Sequence, residues 1–297
     1  MKHVLISAFS VSLLFSPAQA HQAGAEAASA SPAACHNDSG WNDPAKPFKI
    51  FGNTWYVGTC GITSLLITSP QGHILIDGAT NKGGPLIEAN IKALGFKMQD
   101  VRHILISHEH FDHAGGVAHL QRVSGAQVHA LPAALPVLQS GKATREDPQF
   151  LELDAMAPVA NLQPLKHGQI VRSGNLQLQA HAGPGHSPGG GSWTWQSCED
   201  KQCRQMAYVD SLTAISDDTY RFSDNPAYVA NFRKTLQMVA GLPCEILLTP
   251  HPSASAMWQR LGPQPQQALV DAQACSKLAQ GAGARLQARL EKERHQQ

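Results

Sequence analysis

Residues 104–113 read Ile-Leu-Ile-Ser-His-Glu-His-Phe-Asp-His, an apolar run that ends in a cluster of three histidines and one aspartate. The β-branched residues before His108 predict a buried strand, and Ala-Gly-Gly-Val at 114–117 predicts the start of a helix. The polar cluster therefore follows the carboxyl end of a strand, which is where ligands of open α/β sheets collect. This stretch predicts an α/β fold with its site at a strand end.

Two histidines far downstream extend the cluster. His186 lies in Pro-Gly-His-Ser-Pro-Gly at 184–189, and His251 lies in Thr-Pro-His-Pro at 249–252. Imidazole and carboxylate are ligands that Zn²⁺ prefers, and a catalytic zinc takes about three of them and keeps one position open for water. Side chains alternate along an extended turn, so His108 and His110 can reach one metal while Asp112 and His113 serve a second. The pattern indicates a dizinc hydrolytic site; the alternatives are a solvated polar loop or an adventitious metal-binding patch.

Strand and helix patterns alternate along the chain and fit an αββα sandwich, two sheets covered by helices on their outer faces. We find no Pro/Gly/Ser-rich linker in the middle of the chain, and the candidate ligands come from both parts, so we predict one domain of two packed halves. Strands are predicted at 50–57, 62–68, 73–77, 102–107, 126–130, 169–172, 175–182, 191–196, 205–210 and 245–249. Helices are predicted at 84–95, 115–123 and 226–240, with a C-terminal helix whose apolar stripe joins Ala268, Ala272, Cys275, Ala279, Ala282, Leu286 and Leu290.

Further motifs point to a known family. His-x-His-x-Asp-His after a hydrophobic strand, with His186 and His251 downstream, resembles the metallo-β-lactamase superfamily. Within it, four segments look like the subclass B3 β-lactamases: Gly-Asn-Thr-Trp-Tyr-Val-Gly at 52–58, Gly-His-Ile-Leu-Ile-Asp-Gly at 72–78, Ala-Tyr-Val-Asp-Ser-Leu-Thr-Ala at 207–214 and Leu-Leu-Thr-Pro-His-Pro at 247–252. The resemblance spans roughly residues 40–295.

The resemblance implies a ligand set for two zinc ions. The first zinc would be held by His108, His110 and His186, and the second by Asp112, His113 and His251. This branch of the family carries a serine where other β-lactamases have a cysteine ligand, and that serine corresponds to Ser211. One alternative stays open at Asp210, which could bridge the two metals as a carboxylate does in thioesterase-like members, or could be a structural residue at a strand end.

The resemblance also implies an activity, the zinc-dependent hydrolysis of the β-lactam amide of penicillins, cephalosporins and carbapenems, and with it antibiotic resistance. Two zinc ions about 3.5–4 Å apart lower the pKa of a bound water to about 7, which supplies a hydroxide to attack the lactam carbonyl. Asp112 would be the catalytic residue that orients the hydroxide. Ser211 and Thr213 would bind a substrate carboxylate; without the resemblance they would be read as an ordinary strand-end serine and threonine.

Other functions compete with this one. Gly-His-Ser-Pro-Gly at 185–189 matches the Gly-x-Ser-x-Gly elbow of α/β-hydrolases, with Asp210 and His251 in the right order for a triad. Pro188 argues against it, because that oxyanion hole needs the N–H of the residue after the serine. No Ser-x-x-Lys of a serine β-lactamase occurs. Two alternatives stay open: a dizinc hydrolase of a thioester or lactone, and a secreted zinc-binding protein that is not an enzyme.

The N-terminus predicts export. Residues 1–20 have a basic start, an apolar stretch and an Ala-x-Ala cleavage site, as in a secretory signal peptide, and residues 21–39 read as a flexible leader before a domain at 40–297. Six cysteines in an oxidising compartment suggest three disulfides among fifteen pairings. We choose Cys35–Cys60, Cys198–Cys203 and Cys244–Cys275; the last pairing also recurs in the lactamases that the chain resembles. We expect a periplasmic protein.

Charge and loops complete the sequence-based expectations. The net charge of +1 shows no electrostatic footprint for nucleic acid or an anionic membrane and says nothing about the substrate. The family resemblance implies a small-molecule β-lactam as the partner, and no self-complementary patch is evident, so a monomer is the default. The long segment 140–164 could form a specificity loop in which Gln149 or Phe150 reaches the substrate, or a solvated connection. Trp193 and Trp195 alternate on one strand and are predicted to lie in the core.

Overall fold

Two β-sheets packed face to face form the centre of the protein in a computed structural model that describes residues 1, 35–261 and 265–295. The predicted signal peptide, apart from Met1, and residues 21–34 of the predicted leader lie outside the described residues. The strands are β1 (Phe48–Phe51), β2 (Thr54–Tyr56), β3 (Leu65–Ile67), β4 (His73–Ile76), β5 (Val101–Leu105), β6 (Gln127–Ala130), β7 (Leu162–Pro164), β8 (Ile170–Ser173), β9 (Leu176–Ala182), β10 (Gly191–Glu199), β11 (Gln202–Tyr208) and β12 (Ile246–Leu248). The helices are α1 (Gly83–Ala93), α2 (Phe111–Ala114), α3 (Val117–Ser124), α4 (Leu135–Ser140), α5 (Pro226–Ala240), α6 (Met257–Arg260) and α7 (Ala274–Arg294).

The two sheets differ in strand direction. The first runs β1 to β7 in chain order, antiparallel as far as β4 and parallel from β4 to β7. The second has the order β12-β11-β10-β9-β8, in which only β11 and β12 are parallel. The parallel strands β4, β5 and β6 therefore end at the same edge of the first sheet, and the segments that follow β4 and β5 meet there.

Side chains alternate between the two faces of each sheet, and this alternation builds three apolar layers. Ile74 and Ile76 of β4 face Trp193 and Trp195 of β10 between the sheets. Outside the first sheet, helices α1 and α3 cover Leu75, Ile104 and Val128, and outside the second, helices α5 and α7 cover Ala207 and Leu247. The αββα sandwich and the core position of both tryptophans are confirmed.

The structure corrects several predicted boundaries. The strand predicted at 50–57 is the hairpin β1–β2, because Gly52 adopts a φ of +54° and turns the chain. The helix predicted at 115–123 is α3, which begins two residues later at Val117, and the short helix α2 before Gly115 was not predicted. A Cβ on Gly116 would lie 2.2 Å from the carbonyl oxygen of Gly78, so only glycine allows this close approach to the residues after β4.

Two further corrections concern long segments. The stretch 140–164 is not wholly a loop, because it begins with the end of α4 and contains β7, which extends the first sheet. The C-terminal helix begins only at Ala274, so Ala268 and Ala272 precede it and are exposed, which makes their place in the predicted stripe wrong. Asp271 turns the chain here by accepting the Gln273 N–H at 2.9 Å. The rest of the stripe, from Cys275 to Leu290, is buried.

Three disulfides cross-link the described residues. The pairs are Cys35–Cys60, Cys198–Cys203 and Cys244–Cys275, the same pairs that the sequence interpretation chose. Cys198 and Cys203 are directly opposite each other on β10 and β11. The Cys244–Cys275 pair joins the segment before β12 to the first turn of α7. Within residues 35–261 and 265–295, no helix combines the length and the apolar character that crossing a membrane requires.

Candidate metal centre

A buried aspartate anchors the segment that carries the histidine cluster. Asp77, just beyond β4, has a φ of +60° and accepts hydrogen bonds from the Ser107 N–H at 2.7 Å and the Ser107 hydroxyl at 2.6 Å. The Tyr208 hydroxyl of β11 donates to the same carboxylate at 2.6 Å. One carboxylate thus fixes the start of segment 108–113 against both sheets. The motif at 72–78 contained Asp77, but sequence reasoning assigned it no role.

The structure brings together the three histidines expected at the first metal. Each of His108, His110 and His186 offers one ring nitrogen, and these nitrogens lie within 4.8 Å of one another. The other nitrogen of each ring contacts a residue outside this set of three histidines. Those contacts are His108 Nδ1 to Asp210 Oδ1 at 2.8 Å, His110 Nε2 to Asp147 Oδ2 at 2.8 Å, and His186 Nδ1 to the Thr213 hydroxyl and carbonyl oxygens at 2.9 and 3.1 Å. Such outer contacts orient an imidazole so that its other nitrogen can bind a metal.

The electrostatics of this first triplet (His108, His110 and His186) suit a cation. His108 Nε2 is buried and has no hydrogen-bond partner among the described residues. Burial, reinforced by His113, lowers the pKa of His108 well below its usual value, and burial with His110 nearby lowers the pKa of His186 to about 3. Both rings are therefore neutral near pH 7, with a nitrogen lone pair available, which is the form that ligates metal.

A second triplet, Asp112, His113 and His251, lies beside the first. Asp112 Oδ2 is 3.0 Å from His113 Nε2 and 3.2 Å from His251 Nε2, and the two nitrogens are 3.2 Å apart. Ligand atoms about 2.0–2.1 Å from a tetrahedral zinc are about 3.3 Å from one another. Donor atoms of Asp112 and His113 also lie within 4.8 Å of one from His108. The second triplet therefore fits a metal beside the first.

Both triplets contribute to the wall of a cavity of about 560 Å³, the first through His110 and His186 and the second through Asp112 and His251. Ser211 and Thr213, the predicted substrate-binding residues, line it beside the ligands. Gln149 also lines the cavity, whereas the Phe150 ring lies 4.7 Å from the guanidinium of Arg145. Trp41 and Ile215 are exposed apolar side chains at this cavity, and they add apolar surface to its polar floor.

The serine-hydrolase interpretation does not fit this geometry. Ser187 is fully buried, and its hydroxyl donates to Glu109 Oε2 at 3.0 Å. The N–H of Gly189 donates to Glu109 Oε1 at 2.9 Å. Glu109 thus ties the 108–113 segment to the loop that carries His186, while His251 contacts Asp112 and His113 instead of Ser187. Sequence reasoning missed this role of Glu109, although its place between two ligands hinted at it.

Asp210 contacts the first triplet at His108 and lines the same cavity. Its Oδ1 contacts the outer nitrogen of His108, and its backbone N–H donates to the Ser192 hydroxyl at 3.0 Å. This arrangement favours an orienting role over a position between the two triplets. Asp147 has a similar role on His110 and was also missed, because it lies in the segment that the sequence interpretation treated as a loop.

Two triplets of nitrogen and oxygen donors, placed at the strand ends of an αββα sandwich and open to a cavity, define a metal-dependent hydrolase. Comparison with known proteins agrees. The sequence pattern of the metallo-beta-lactamase superfamily matches residues 57–199. MEM-A1, a subclass B3 metallo-beta-lactamase isolated from a soil metagenome library, is 45% identical, covers 87% of this chain and 100% of its own, and aligns with a TM-score of 0.83.

Two further proteins are similar to this chain, one over most of its length and one over less than half. The metallo-β-lactamase MIM-1 from Novosphingobium pentaromativorans is 48% identical over 90% of this chain and 98% of its own, with a TM-score of 0.85. A hydroxyacylglutathione hydrolase of Rhodopseudomonas palustris is 31% identical over 130 residues, a match that spans only 41% of either chain. The chain belongs to the metallo-β-lactamase superfamily, and its resemblance to subclass B3 enzymes extends over nearly the whole fold.

Proposed function

We propose that this protein is a zinc-dependent β-lactamase that hydrolyses the β-lactam amide of penicillins, cephalosporins and carbapenems. The observation that carries the proposal is the convergence of two donor triplets, His108–His110–His186 and Asp112–His113–His251, in one cavity. The similarity to MEM-A1 and MIM-1 over almost their full lengths supports the choice of substrate class.

Zinc is the metal that this donor set suits best. Five imidazoles and one carboxylate without a thiolate match the borderline character of Zn²⁺, and each triplet leaves a coordination position open, as catalytic zinc sites do. When bound, a zinc pair would lower the pKa of a water to about 7 and polarise the scissile carbonyl. We propose two zinc ions per chain, one in each triplet.

The chain's own residues would position the reactants. Asp112 presents its carboxylate between His113 and His251 at the cavity floor, where it would orient the attacking water and accept its proton at a carboxylate oxygen. Ser211 and Thr213 would bind the substrate carboxylate. The Thr213 hydroxyl lies 2.9 Å from His186 Nδ1; when it accepts that hydrogen bond it keeps its own proton to donate to substrate.

A thioester hydrolase is the second candidate, because part of the chain matches a hydroxyacylglutathione hydrolase. That match spans less than half of either chain. The contact of Asp210 with the outer nitrogen of His108 supports the β-lactamase over a hydrolase in which that carboxylate bridges two metals.

We also propose a cellular compartment and a domain organisation for the protein. Three disulfides among the described residues support export to the periplasm, since such bonds persist in oxidising compartments. We propose that residues 40–297 form one domain of two packed halves that acts as a monomer, and that expression of the protein confers β-lactam resistance.

The test is the hydrolysis of a carbapenem by the purified protein without its predicted signal peptide. Absorbance reports the reaction in three conditions: without EDTA, with EDTA, and after zinc is restored. We expect turnover that EDTA abolishes and zinc recovers. A penicillin, a cephalosporin and a glutathione thioester serve as parallel substrates. Turnover of the thioester alone would replace the first candidate with the second.

A further inference from the structure

Asp147 is a buried carboxylate that no sequence motif singled out. Its side chain is 2% exposed, and its Oδ2 lies 2.8 Å from Nε2 of His110, whose side chain is 3% exposed. Burying a carboxylate is costly unless a partner compensates it. Asp147 lies in the 140–164 segment, and its partner in the first triplet is the imidazole of His110.

The second oxygen of Asp147 organises the surrounding chain. Asp147 Oδ1 accepts the Gln149 N–H at 2.8 Å, and the Asp147 carbonyl accepts the Phe150 N–H at 3.1 Å. These bonds form a tight turn that places Gln149 on the cavity wall. One carboxylate thus contacts a candidate metal ligand and shapes a wall of the substrate cavity.

The same turn has a second anchor that touches no candidate ligand. The Asp217 N–H donates to the Pro148 carbonyl at 2.8 Å, and Asp217 Oδ2 accepts the Leu151 N–H at 3.1 Å. Asp217 follows the segment that carries Ser211 and Thr213. The effect of a loosened turn can therefore be separated from the effect of a lost imidazole contact.

We propose that Asp147 is a positioning residue that holds His110 in the tautomer with its proton on Nε2. The lone pair of Nδ1 then faces the first triplet, which leaves this nitrogen ready for metal before any ion binds. Through the turn at Gln149, the same carboxylate links the cavity wall to that ligand. The inference rests on the proposed metal-binding role of His110.

Asp147→Asn is the decisive variant. Asparagine has one acceptor oxygen for the two donors, His110 Nε2–H and Gln149 N–H. If the oxygen stays with the turn, the amide NH₂ faces His110 and favours the tautomer with its proton on Nδ1. Asp147→Glu keeps two acceptors, and Asp217→Ala loosens the same turn without touching His110.

Two readouts separate positioning from general structural damage. Ring-nitrogen NMR of zinc-free protein reports which nitrogen of His110 carries the proton, and competition with a chelator reports zinc affinity. We expect the Nε2–H tautomer in the wild type and in Asp217→Ala, and its loss in Asp147→Asn. The zinc affinity of Asp147→Asn should fall about 10–100-fold, with partial recovery in Asp147→Glu.

The possible results distinguish a failure of this inference from a failure of the proposed function. Equal losses of zinc affinity in Asp147→Asn and Asp217→Ala would show that the turn matters and the imidazole contact does not, which overturns the inference. An unchanged His110 tautomer in Asp147→Asn would also overturn the inference. If Asp147→Asn does not fold, Asp147→Ala replaces it, and a wild-type level of the Nε2–H tautomer in that variant would overturn the inference. A wild-type protein that binds no zinc would instead overturn the proposed function.

Discussion

The two donor triplets share one cavity but are held to different degrees. In the first triplet, each ring has a contact of 2.8–2.9 Å on its outer nitrogen, from Asp210, Asp147 or Thr213. In the second, His113 Nδ1 is 3.7 Å from Asp77 Oδ2, and the side chain of His251 is 27% exposed. Beside it, the Trp41 ring lies 5.9 Å from the imidazole of His251.

A preformed ligand set depends on the residues that contact the outer nitrogens of the ligands. Rings held from outside lose little conformational freedom when an ion binds, so more of the binding energy is retained. A ligand at the cavity mouth must be ordered by the metal itself. We therefore expect the first triplet to bind zinc more tightly than the second.

The largest effect on the tighter zinc is expected for His110→Ala. Loss of an outer contact typically costs about 10–100-fold in metal affinity or activity, so loss of the ligand itself should cost more than about 100-fold in both. Zinc content after dialysis and β-lactam turnover measure it. His119→Ala is the control, because His119 lies on α3 against Glu88. A similar loss in both variants would refute the assignment of His110.

Asp210→Asn should have the next largest effect. The carboxylate contacts the outer nitrogen of His108, and its replacement should lower the affinity of the first triplet by about 10–100-fold while the protein still folds. Chelator competition gives the affinity, and circular dichroism checks the fold. Wild-type affinity in a folded variant would mean that the outer contacts do not determine the difference between triplets.

His251→Ala should spare the tighter zinc. His251 belongs to the less supported triplet, so we expect the zinc content to fall from two ions to one per chain while the remaining ion keeps its affinity within a few-fold. Elemental analysis at defined free zinc measures the stoichiometry. If the remaining ion is the weaker one, the ranking of the triplets is reversed.

The smallest effect is expected for Trp41→Ala. Trp41 packs against His251 and lies 6.1 Å from the Phe111 ring at the cavity mouth. Trp41 also lines the cavity, so we expect it to contact the substrate. Loss of one aromatic contact corresponds to about 0.5–1.5 kcal/mol, or about twofold to tenfold in KM, with zinc content unchanged. Steady-state kinetics at saturating zinc tests this. A drop in zinc content would show that Trp41 supports the second triplet itself.

The sequence predicted the ligands better than the residues behind them. The ligands follow strand ends in short motifs, so their chemistry and spacing are local. The outer contacts are not local, since Asp147 is 37 residues from His110 and Asp210 is 102 residues from His108. Such partners depend on the path of the whole chain, and no periodicity in the sequence encodes them.

The fold shows the same division. Strong periodic patterns placed most strands and the helix at 226–240 correctly, because burial on one face leaves a repeating signal. The errors fall where backbone geometry decides, at the Gly52 turn that splits one predicted strand and at the Gly115–Gly116 pair, after which α3 begins two residues later than predicted. The late start of α7 was missed because the spacing of alanines carries little burial energy.

A zinc titration of the metal-free protein, in which bound zinc and β-lactam hydrolysis are followed together, tests the proposed dizinc site directly. We expect two ions per chain that bind in two distinguishable steps, with hydrolysis that depends on bound zinc. A protein that binds no zinc, or that is fully active without it, would overturn the proposed function.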